Sequence, residues 1–171
     1  MDGMTVFAYR PQTNIAARFV FDSVIDGICR MAWDQLDGDE IMRVAKAYYY
    51  FSVQFRENLE IARAQHPDDA KLAALWQGEC DTDNLSPWPG VAAPGERMNH
   101  DEFMRRLLDF HPAGRDPRLT EAGIGYLERT RQVGKLARAA SIASYEDGGL
   151  SRVFGAMLRT PHWHGKGQRA F

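Results

Sequence analysis

The chain has 171 residues and is 44% hydrophobic, enough to bury a core and most simply read as one domain spanning 1–171. Its 21 basic and 23 acidic residues leave a net charge of −2 with no long block of either sign, so bulk charge gives no support for nucleic-acid binding. No window approaches about 18 uninterrupted apolar residues, which excludes a membrane span, and MDGMTVFAYRPQ lacks the basic flank and apolar stretch of a signal peptide.

Nearly every patterned segment carries the helical period, and no strand-length alternation, repeat or linker is visible. From Ile15 to Leu36, Phe19, Val20, Val24, Ile28, Met31 and Ala32 fall on one helical face. Asp37-Gly38 breaks the pattern. From Asp39 to Gln65, steps of three and four link Ile41, Val44, Tyr48, Phe51, Phe55, Leu59 and Ala62 into a stripe about seven turns long. Asp39 is the expected N-cap. His66-Pro67 is the expected stop, because the residue before a proline is pushed out of the α region.

A shorter helix is expected over Asp68–Cys80, with Asp68 and Asp69 at its positive end and Leu72, Leu75 and Trp76 facing inward. Asp81–Met98 holds Pro87, Pro89, Gly90, Pro94 and Gly95 and cannot be regular helix. Asp81, Asp83 and Asn84 resemble the start of a calcium loop, but the glycine and closing Glu are missing at the required spacing. Asn99 and Glu102 have the spacing of a capping box before a helix faced by Phe103, Leu107, Leu108 and Phe110. His111-Pro112-Ala113-Gly114 ends that helix.

Leu119–Tyr145 reads as one long helix whose Gly123, Gly134, Ala137, Ser141 and Ser144 let neighbouring backbones come close. A last helix covers Leu150–Leu158, and 159–171 forms an irregular tail. The pattern predicts an all-α bundle of five or six helices. Cys29 and Cys80 fit neither a zinc pattern nor a disulfide framework and read as reduced thiols of a cytoplasmic protein.

Three side chains at helix ends stand out: Glu79 in QGECDTDNLSPWPG, His100 in MNHDEFMRRLL and Glu146 in ASYEDGGLSRVF. Carboxylates and an imidazole gathered inside a helical bundle are a ligand set suited to iron or manganese. Glu79 also faces an unfavourable dipole at its helix C-terminus, which suggests a specific role. Each has a plainer reading as an ordinary helix-end residue. Tyr48, Tyr49 and Tyr50 read first as packed core rings and second as the lining of a pocket.

The stretch AKAYYYFSVQFRENLEIARAQHPDDAKLAALWQGECDTDNLSPWPG, followed by NHDEFMRRLLDF, resembles the haem-oxygenase-like superfamily. The likeness is greatest to its iron-containing redox branch, related to the chlamydial death-domain-associated protein, the pyrroloquinoline-quinone synthase and TenA-type proteins. It covers roughly Asp37–Leu158. Such proteins have an aromatic-rich second helix, a helix ending in Glu, a helix opening with His and a later helix with another Glu. Glu79, His100 and Glu146 match these positions in order. The resemblance implies a haem-oxygenase-like bundle that uses one or two iron ions and dioxygen to oxidise a small organic molecule.

Two departures from the family pattern accompany it. The loop between Glu79 and His100 is long, and the closing helix that carries a His and an Asp has no counterpart before Phe171. Either those ligands are absent, the sequence is a truncated form, or His162 and His164 in PHWH act as substitutes, the least favoured of the three readings. Two irons would need that helix or a second subunit, and the groove it normally covers implies a homodimer. No histidine precedes His66, which argues against haem. Cys80 beside Glu79 would serve as a nucleophile only with an activating neighbour. The competing reading is a metal-free bundle that binds a ligand or a protein partner without catalysis.

Overall fold

The computed structural model describes residues 15–82, 90–145 and 149–161. These form seven α-helices and no strand, so the all-α class holds among the described residues. None of these helices is long and apolar enough to cross a membrane.

The first helix, α1 (Ile15–Cys29), stops earlier than its pattern suggests. The chain turns into a 3₁₀ segment, Trp33–Gln35, which buries the Trp33 indole while its Nε1 donates to the Ile28 carbonyl at 2.8 Å. The side of α1 expected to be buried also differs. Phe19, Val20 and Val24 are more than half exposed, while Ile28 of the expected face, together with Cys29, packs in the cluster that includes Ala156 and Met157 of the last helix, α7 (Gly149–Met157).

The long helix α2 (Gly38–Gln65) is capped by Asp37 and not by Asp39. Asp37 accepts from Glu40 N, and Glu40 Oε2 accepts in return from Asp37 N at 2.9 Å, a full capping box. His66 closes the far end as expected. At 28 residues, or about 42 Å, α2 is the central rod. Against it pack α3 (Ala70–Cys80), α4 (His100–Leu108), α5 (Pro117–Arg131) and α6 (Lys135–Tyr145).

Two expectations for the second half are corrected. Asn99 caps α4 by position only, with no side-chain bond, and the Glu102 carboxylate that would complete the box pairs with Arg105 and Arg106 instead. Phe110 is exposed and does not extend the buried face of Phe103, Leu107 and Leu108. The expected single helix over Leu119–Tyr145 is two. Gln132 N and Val133 N bond back three residues, tightening the end of α5, and the Gly134 carbonyl then accepts from Arg138 N to start α6. Arg131 and Arg138, one on each side of the break, both pair with Glu57 of α2.

The small-residue stripe works at Gly123, where a Cβ would lie 2.1 Å from the Tyr50 ring, and at Ser141, which accepts from Asn58 Nδ2 at 3.0 Å. It does not work at Gly134, which has open space, or at Ala137, which is exposed. The main core joins Phe55, Leu59 and Ala62 of α2 to Cys80 of α3 and Ile142 of α6, with Leu72, Leu75 and Trp76 packed against it.

Candidate functional site

Glu79 lies in the last turn of α3 and His100 opens α4. The loop ends between them are pinned together by a backbone bridge in which Thr82 and Met98 exchange two hydrogen bonds of 3.3 Å. Arg97 adds a salt bridge to Asp81 at 3.0 Å. Glu79 is three residues before the bridge and His100 two after it, so the bridge carries both side chains to one place. His100 Nδ1 and Glu79 Oε2 are 2.8 Å apart. A carboxylate only accepts, so the imidazole donates on this line. The pair is partly open, with Glu79 33% and His100 38% exposed.

Asp101, the next residue, fixes the first turn of α4 against α2. Its Oδ2 accepts from Arg56 Nε at 3.0 Å, while its buried Oδ1 has no hydrogen-bond partner among the described residues. His100 therefore projects from a turn clamped to the central rod.

Glu79 also forms part of the wall of a cavity of about 220 Å³. The other walls are Tyr48, Phe51, Ser52 and Phe55 from α2, Tyr145 from α6, and Leu150, Ser151 and Phe154 from α7. The rings interlock: Phe154 meets Tyr48 edge-on at 5.6 Å and Tyr145 meets Phe51 edge-on at 5.1 Å. Burial, together with the nearby Glu79 carboxylate, pushes the Tyr48 phenol up to about 12, so it stays protonated. Tyr145 is held from behind, where its hydroxyl accepts from Gln54 Nε2 at 3.1 Å and Gln54 Oε1 accepts from Tyr126.

Of the three proposed ligands, the structure brings Glu79 and His100 together. Glu146 lies outside the described residues, as do His162 and His164. Glu146 follows Tyr145 directly, and Tyr145 shares the cavity wall with Glu79. Two donors on adjacent corners of an octahedral ion, at metal–donor distances of about 2.1 Å, sit about 3 Å apart. The Glu79–His100 spacing fits that with a shift of tenths of an ångström. Among the described residues no group of three His, Cys, Asp or Glu could hold an ion.

Cys80 faces the core, where burial pushes its thiol up to about 12 and nearby Glu60 adds to the effect; such a thiol is no nucleophile. Tyr48 matches its second reading, as a pocket-lining residue. Tyr145, Ser151 and Phe154 were not singled out in the sequence, although Tyr145 adjoins Glu146. Comparison with protein-family models, with curated proteins and with solved structures finds no match.

Proposed function

We propose that this chain is a haem-oxygenase-like bundle of the non-haem iron branch that oxidises a small organic molecule with dioxygen, Glu79, His100 and Glu146 holding the iron. The observation that carries the reading is the 2.8 Å meeting of Glu79 and His100, 21 positions apart in sequence, beside an aromatic cavity. Bound iron(II) with open coordination positions supplies dioxygen activation. The chain's own residues supply the rest. Glu79 and His100 come from helix ends fixed to α2, which preorganises them. The rings of Tyr48, Phe51, Tyr145 and Phe154 offer a packing face to an apolar body, and the Tyr48 phenol keeps its proton beside Glu79. Cytoplasmic location and homodimerisation belong to the same proposal; two free thiols support the first and the exposed Phe19, Val20 and Val24 the second.

A second reading is a metal-free bundle that binds a ligand or a protein partner. It is favoured by the hydrogen bond that His100 Nδ1 and Glu79 Oε2 already make to each other. Anaerobic iron(II) titration separates the two. The iron reading expects about one ion per chain, lost in Glu79→Ala, His100→Ala and Glu146→Ala while circular dichroism stays unchanged. A folded wild-type protein that takes up no iron favours the metal-free bundle.

A further inference from the structure

The cavity has a chemical polarity that the iron proposal leaves unused. Five of the nine wall residues are aromatic, and aromatic faces present negative charge that attracts cations. Glu79 is the one charged side chain among the described residues of that wall, and no Lys or Arg joins it. The wall's polar groups are mostly engaged: Tyr145 with Gln54, Tyr48 with Ser52, and Glu79 Oε2 with His100. Glu79 Oε1 has no hydrogen-bond partner among the described residues. A carboxylate oxygen accepts and never donates, so whatever meets it must bring a proton. An anionic ligand would instead face repulsion from Glu79 in a partly desolvated site.

Size sets the second limit. A dry cavity of about 150 Å³ takes up benzene, so 220 Å³ suits about nine non-hydrogen atoms. We infer that the cavity between α2, α6 and α7 selects a small organic ammonium with an aromatic or alkyl body, its N–H groups on Glu79 Oε1 and its charge against the Tyr48, Tyr145 and Phe154 rings. The inference rests on the proposal that this cavity is the ligand site. It does not need the metal.

The test uses the full metal-free chain and three probes of one shape: 2-phenylethylammonium, 2-phenylethanol and phenylacetate. Binding is read by calorimetry and by NMR shifts of the Tyr48 and Tyr145 rings. The ammonium should bind about tenfold tighter than the alcohol, with phenylacetate weakest. Glu79→Gln should erase that preference while the alcohol still binds. Phe154→Leu, at the half-open edge, should weaken the ammonium several-fold and the alcohol little. If the alcohol or phenylacetate binds tightest and shifts the same rings, the ammonium class is overturned and the cavity stands as a ligand site. A preference that survives Glu79→Gln overturns the carboxylate anchor. If no probe shifts those rings, the inference and the ligand-site reading fall together.

Discussion

Substituting Gly123 by alanine tests how closely α5 approaches α2. The added Cβ would lie 2.1, 2.2 and 2.5 Å from three carbons of the Tyr50 ring. Ordinary contact begins at 3.4 Å, so helix or ring must retreat by about 1.3 Å. Tyr50 cannot swing out freely, because it is 7% exposed and packed with Val53 and Leu127. Overpacking of this severity costs about 3 kcal/mol, and the better helix propensity of alanine returns about 1. The net loss of about 2 kcal/mol should lower Tm by about 4–8 °C for a chain of this length. Gly155→Ala in α7 is the control. Its Cβ meets nothing within 4 Å, so the propensity gain should raise Tm by about 1–4 °C. Thermal melts followed by far-ultraviolet circular dichroism measure both. Shifts of the same sign would refute the packing of α5 on Tyr50.

Two further outcomes follow from the electrostatics. Hydrogen bonds from Arg105, then Arg106, hold the Glu102 carboxyl down at about 2 against an ordinary 4.5. A lowered folded value means that its stabilisation is complete above about pH 4.5 and lost as pH falls towards 2. Because Glu102 is about a third exposed, the effect is under about 1 kcal/mol. Glu102→Gln should flatten the acid limb of Tm against pH by that much; an unchanged limb would contradict the Arg105 and Arg106 contacts. Cys80, raised to about 12 and buried, should resist alkylation at pH 8 in the native protein and react on unfolding. Labelling at the rate of a free thiol would show that α3 does not seat it in the core.

The parts of the fold legible in the sequence were those set by local spacing. The stripe from Ile41 to Ala62 lies on one face of α2, and His66-Pro67 ends it. Asp37 and Asp39 look alike as caps; the choice fell to Asp37 because only it has Glu40 three residues on to answer it. The face of α1 was misread because periodicity shows which residues share a side, not whether a neighbour covers it. The break at 132–134 was hidden because the apolar period continues through it, while Glu57, more than 70 positions earlier, draws Arg131 and Arg138 together. Glu79 and His100 were legible as chemistry at helix ends. The bridge that unites them, Thr82 to Met98, has no signature beyond two ordinary residues. The cavity was largely illegible, since Tyr48, Tyr145 and Phe154 meet across more than 100 residues of chain.

Crystals soaked anaerobically with iron(II), with anomalous scattering recorded at the iron edge, test the central claim most directly. The account expects one peak about 2.1 Å from both Glu79 and His100, with Glu146 reaching it as the third donor. An iron-free map in which His100 still donates to Glu79 at 2.8 Å, or a peak bound elsewhere, would contradict it.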